Sequence, residues 1–141
     1  MHFLLLLFFT QLAFITGIHS LSVRTTEGLV VGTQVSQKVR RFLGIPYARV
    51  KRWEPPYPAS KRDYIFYATK FGDSCPQELS KTNELLANLT GLRMADVRES
   101  EDCLNLNIWA PSIDRNQGTA VMIWIYGGAF EFGTVSGDPK T

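Results

Sequence analysis

A chain of 141 residues, 45% hydrophobic and 20% charged, has the makeup of a globular protein of one domain or less. That balance excludes the disordered and coiled-coil classes. A formal net charge of +2 gives no argument for a nucleic-acid partner, and the one basic cluster, Arg49 to Arg52, reads as a solvated face.

Taken in chain order, residues 1–20 (MHFLLLLFFTQLAFITGIHS) read as a secretory signal peptide. Phe3 to Phe9 is wholly apolar, and Gly17 and Ser20 supply small residues near a cut close to Leu21. The uninterrupted apolar run is far shorter than a membrane-spanning helix needs, so no membrane span is expected. Residues 21–45 are rich in β-branched and aromatic side chains broken by Gly28 and Gly32, which predicts a β-rich start. Residues 46–58 carry four prolines and no periodicity, which predicts loop.

On a secretory route Cys75 and Cys103 are expected to pair, closing a loop across residues 76–102; two buried free thiols are the alternative. Closing such a loop contributes roughly 3–4 kcal/mol in the chain-entropy model. Inside it, Thr82 to Leu92 predicts a short helix capped by Thr82 or Asn83, and Asn88-Leu89-Thr90 is a glycosylation sequon. Residues 103–110 (CLNLNIWA) alternate strictly, with Leu104, Leu106 and Ile108 on one face and Asn105, Asn107 and Trp109 on the other. Residues 111–118 predict a turn or loop. Ala120 to Tyr126 is then apolar on both faces, as a central strand buried on both sides would be.

That strand runs directly into Gly127, Gly128 and Ala129. A phosphate-binding loop is excluded, because in GTVSGDPKT (133–141) Asp138 and Pro139 separate Gly137 from Lys140. Two readings stay open on the residues alone. The bare backbone can offer N–H donors to a developing oxyanion, as an HGGG-like loop does in lipases and esterases. Equally, the glycines can serve a tight turn.

Four blocks in order resemble the type-B carboxylesterase and lipase family, the α/β-hydrolase branch that includes the cholinesterases. They are FLGIPYA (42–48), ATKFGDSCPQ (68–77), SEDCLNLNIWAP (100–111) and VMIWIYGGAFEFG (121–133). The resemblance covers nearly everything after the predicted signal peptide. It implies an α/β fold in which this chain is the N-terminal fragment of an α/β-hydrolase, with a β-rich start and the first strands of a central, mostly parallel sheet. It also implies that the N–H groups of Gly128 and Ala129, on a loop that includes Gly127, are oxyanion donors. Cys75 and Cys103 match the family's first disulfide, and Arg52 and Glu101 match a paired arginine and glutamate.

Several positions depart from the family pattern. Tyr126 stands where many relatives have histidine, and Ala129 where most have a third glycine. Arg49-Val50-Lys51 replaces a longer proline-rich stretch before Arg52. Arg93 falls near the position of the cholinesterases' choline-binding tryptophan, and a cation there disfavours a choline ester.

Ester hydrolysis in this family needs a serine nucleophile, a histidine base and an acid. The chain holds no G-x-S-x-G, and its only histidines are His2 and His19, both before the predicted cut. No HExxH or Cys/His cluster offers a metal, and no cofactor is implied. The expectation is therefore a signal peptide (1–20) followed by an incomplete N-terminal part of a carboxylesterase type-B domain (21–141). Such a chain is inactive alone and acts on a carboxylic ester in the full-length protein. A non-enzymatic adhesion or binding relative is the rival reading, and a genuinely short secreted binding protein is a third.

Overall fold

The computed structural model describes residues 21–78, 85, 89, 98–112, 118–128 and 132–135. The chain opens with strands β1 (Ser22–Thr25) and β2 (Gly28–Val31), an antiparallel hairpin in register from Ser22↔Val31 to Thr25↔Gly28. The turn holds itself together: the Thr25 hydroxyl donates to the Gly28 carbonyl at 2.9 Å and accepts from the Glu27 N–H at 3.2 Å. The Arg62 N–H donates to the Glu27 carbonyl at 2.7 Å, docking the turn on the next layer of chain.

Strand β3 (Thr33–Ser36) leads to β4 (Val39–Pro46), the longest strand described. The predicted β-rich start is present over these four strands. The stretch 46–58, predicted as loop, contains a small hairpin of β5 (Ala48–Arg49) and β6 (Tyr57–Pro58). Two-residue strands leave no periodicity to read, which is why prolines dominated the sequence pattern. At this hairpin's tip Trp53 has a left-handed backbone (φ 69°), and the Arg52 guanidinium lies 5.7 Å from its ring centroid. Strand β7 (Phe66–Tyr67) then pairs parallel with β2, and β8 (Asn105–Pro111) pairs antiparallel with β4.

The result is one sheet ordered β1-β2-β7 and another ordered β3-β4-β8. They are stitched by Ala68, whose N–H donates to the Val31 carbonyl (2.7 Å) and whose carbonyl accepts from the Leu43 N–H (2.9 Å). The core sits at this seam. Val30, Phe42 and Ala68 are buried together, with Ile45 and Phe66 packed against them, and Leu43 is buried beside Phe42 in the chain.

Adjacent Phe42 and Leu43 cannot both face inward on a regular strand, because side chains alternate. Here the β4–β8 register shifts between Phe42 and Ile45, and Gly44 takes a left-handed backbone at φ +64°. Phe42 belongs to the seam core, Leu43 is buried apart from that cluster, and the bulge follows directly after Phe42. A side chain at Gly44 would also meet the Lys70 carbonyl oxygen and the Gly72 nitrogen at 2.7 and 2.8 Å.

The predicted helix over Thr82 to Leu92 and the sequon at Asn88 lie outside the described residues, except Leu85 and Leu89, which have helical backbone and are exposed. The predicted signal peptide and Arg93 also lie outside them. Among the described residues no helix is long and apolar enough to cross a membrane.

One expectation is overturned. The segment 121–126 is neither a paired strand nor buried: Met122 is 97% exposed and Ile125 83%. Its side chains are those of a buried strand, but no described strand lies beside it. Without ladder partners neither its N–H groups nor its apolar faces leave water.

Candidate functional site

The Gly127–Gly128 loop follows that exposed run. Among the described residues nothing lies within 4 Å of where a side chain on Gly127 would project. Gly128 is different: its φ is +138°, and a side chain there would run into the Phe132 carbonyl oxygen. The Phe132 N–H donates back to the Gly128 carbonyl at 3.2 Å, closing a turn. Gly133 has φ +143°, and a side chain on it would strike the Tyr126 ring and the Gly127 carbonyl oxygen. Both glycines therefore let the chain fold back on itself, so that Gly133 packs against the residues that lead into Gly128. Ala129 lies outside the described residues.

The side chains of Gln77 and of Asn107 on β8 hold the far end of this turn. The Gly133 N–H donates to Gln77 Oε1 at 2.7 Å, and Gln77 Nε2 donates to the Gly133 carbonyl at 3.2 Å. Asn107, on β8, donates from Nδ2 to the Val135 carbonyl at 2.9 Å and accepts from the Gly44 N–H at 2.8 Å. The alternation of CLNLNIWA marked Asn107 as facing away from the leucines, but gave it no role. Gln77 closed the family-like block ATKFGDSCPQ (68–77), but nothing in the sequence gave it a role.

Gln77 is carried by a braced neck of the chain. Cys75 and Cys103 form a disulfide, and a parallel bridge pairs Ser74 with Glu99. Three ion pairs gather at the same neck. Arg52 donates from Nε (2.8 Å) and Nη2 to Glu101 Oε1, and Arg49 pairs with Asp102. Arg98 grips Asp73 with two prongs, Nε to Oδ1 at 2.9 Å and Nη2 to Oδ2 at 2.6 Å. The Arg98 hydrogen bond holds the Asp73 carboxyl below its ordinary pKa, and burial opposes the shift only in part. Asn105 braces the neck from β8, donating to the Asp73 and Cys103 carbonyls at 2.9 and 3.0 Å.

A separate cavity of about 280 Å³ shares no lining residue with the glycine loop. Arg49, Lys61 and Arg62 line it beside Tyr64 and Phe66. Its cationic character is reduced by Asp102 on Arg49, and the Arg62 guanidinium is stacked 5.0 Å from the Phe66 ring centroid. Among the described residues no group of His, Cys, Asp and Glu is placed to hold a metal ion.

Among the described residues the loop is a turn whose backbone is left without side chains at Gly127 and Gly128. Residues 19–139 match the family model described as the carboxylesterase family. Carboxylesterase 1C of Rattus norvegicus is 36% identical over 126 residues, a match covering 81% of this chain and 23% of that protein. Acetylcholinesterase of Danio rerio is 38% identical over 131 residues, covering 84% and 20% respectively. Among solved structures, a thermophilic PNB esterase superposes with a TM-score of 0.63 at 37% identity, covering 79% of this chain and 22% of that one. An esterase from anaerobic Clostridium hathewayi, described as able to hydrolyse aliphatic aromatic polyesters, gives 0.66 at 35% identity with the same coverage. The chain thus spans about a fifth of the length of the relatives it matches.

Proposed function

Because the chain belongs to the carboxylesterase family, we propose that it is the N-terminal part of a secreted carboxylic ester hydrolase working through a serine acyl-enzyme. The observation that carries this reading is the Gly127–Gly128 loop, where a side chain on Gly128 would collide with the Phe132 carbonyl and the backbone is left bare. In the full-length protein a serine hydroxyl attacks the ester carbonyl carbon while a histidine takes the hydroxyl proton. The carbonyl electron pair moves onto oxygen, and the N–H groups of Gly128 and Ala129 receive that charge. Collapse of the intermediate expels the alcohol, protonated by the same histidine, and water then releases the acid. Each fixed donor of this kind is worth about 10²–10³ in kcat.

The nucleophile and base come from outside these 141 residues, since His2 and His19 fall in the proposed signal peptide and no G-x-S-x-G occurs. The chain alone is therefore inactive. Asn88 is its proposed glycosylation site. Arg93, standing near the choline-binding position in the sequence, argues against a choline ester.

The test is to sequence the transcript through the codon for Thr141 and assay the encoded full-length protein on p-nitrophenyl butyrate. The proposal expects a downstream G-x-S-x-G, a later histidine and hydrolysis. A stop codon directly after Thr141 refutes it, as does a continuing frame that replaces the nucleophile and leads to a membrane-spanning helix, the pattern of an adhesion protein.

A further inference from the structure

We propose that Gln77 is a positioning residue for the oxyanion donors, acting with Asn107 to fix the turn that aims the Gly128 and Ala129 N–H groups. This rests on the oxyanion reading above and adds the part of the chain that holds the donors still. Oxyanion stabilisation requires donors that are already oriented when charge develops. Within the turn itself the Phe132 N–H donates to the Gly128 carbonyl at 3.2 Å, and described side-chain bonds from outside the turn add to it. Much of the described grip on the loop therefore comes from Gln77 and from Asn107 on β8.

Gln77 supplies that grip in a form few side chains can. Its amide meets both backbone groups of Gly133, accepting at 2.7 Å and donating at 3.2 Å, so that a side chain imitates one rung of a β-ladder. A carboxylate keeps the acceptor but has no donor, and sets a negative charge against a carbonyl oxygen; an alanine keeps neither. Asn107 holds Val135 two residues further on, while its own carbonyl oxygen is fixed by the Gly44 N–H at the β4 bulge.

The other end of Gln77 is equally fixed. Its Nε2 also donates to the Cys75 carbonyl at 3.1 Å, and Cys75 is tied to Cys103, two residues before β8. From Gly133 the restraint passes to the Tyr126 ring and the Gly127 carbonyl, which leave no room for a side chain there. A line of contacts thus runs from the disulfide, through the Gln77 amide and Gly133, to Tyr126, Gly127 and Gly128.

The experiment uses the full-length enzyme carrying Gln77→Ala, Gln77→Glu or, as reference, Ala129→Pro, which deletes one donor N–H. Active sites are counted by stoichiometric titration with an organophosphate, so that kcat is per folded site and loss of folded protein does not enter. For both Gln77 variants the expected result is a fall in kcat of roughly 10–100-fold, as misplacement of reacting groups by about 1 Å produces. KM should stay within about twofold, because uniform substrate binding is untouched. Affinity for a trifluoromethyl ketone, which forms a tetrahedral oxyanion, should fall in step with kcat/KM. If Ala129→Pro collapses kcat while both Gln77 variants keep it per titrated site, the positioning role is wrong and the oxyanion reading stands. If Ala129→Pro leaves kcat intact, the oxyanion reading fails and takes this inference with it.

Discussion

Strand β4 and the segment 121–126 are both runs of large residues, yet they end in opposite environments. Phe42 and Leu43 are 4% and 2% exposed, whereas Met122 and Ile123 are 97% and 79% exposed. Apolar composition does not decide it, since the wholly apolar segment is the exposed one; neighbours do. Strand β4 lies between β3 and β8, while no described strand pairs with 121–126. Burial is thus a property of the company a strand keeps, and apolar side chains only state what company is needed. On the proposed function, that company comes from the remainder of the full-length protein.

The largest expected effect sets the same kind of change in the two regions. Ile123→Lys should raise the soluble yield of the 141-residue chain several-fold, because it breaks an exposed apolar segment prone to edge pairing. In the full-length enzyme the same substitution should abolish folding or cost more than about 4 kcal/mol, since it buries an unpaired charge. Leu43→Ala should instead cost about 2–5 kcal/mol in the full-length protein, measured by urea denaturation, because its site is closed by residues already present here. An Ile123→Lys enzyme as stable as the parent would erase the contrast.

The neck of the disulfide loop sharpens the comparison from the finished side. Cys75→Ser with Cys103→Ser should destabilise the full-length protein by roughly 3–4 kcal/mol, read as a drop in Tm, because the intervening loop is no longer closed in the unfolded chain. The smallest effect belongs to the Asp73–Arg98 pair. The Asp73 carboxyl has its pKa depressed in the fold by Arg98, so its stabilisation is complete above the unfolded carboxylate value of about 3.9 and is lost as pH falls through the folded value. Asp73→Asn should therefore lower Tm slightly at neutral pH, and the gap to the parent should close on acidification. A gap that widens in acid contradicts the assignment.

Much of the fold could be read along the chain because it is local. The β-branched residues broken by Gly28 and Gly32 announced a β-rich start, and 103–110 alternated between two faces as a strand does. The bulge at Gly44 was not legible, since the backbone that crowds it, at Lys70 and Gly72, comes from far along the chain. The Gly127–Gly128 loop stood out through its missing side chains. Gln77 did not, because a lone amide has no pattern and its meaning arises only when Gly133 is brought beside it. Residues that act by what they lack show in a sequence; residues that act by what they reach for do not.

The most direct test of the central claim is hydrogen exchange of residues 121–129 in the full-length protein, with and without a trifluoromethyl ketone, beside the 141-residue chain. The account predicts rapid exchange at 121–126 in the short chain and slow exchange in the full-length protein, with added protection at Gly128 and Ala129 when the ketone binds. Rapid exchange at 121–126 in the full-length protein, or ketone binding that leaves Gly128 and Ala129 unprotected, would contradict it.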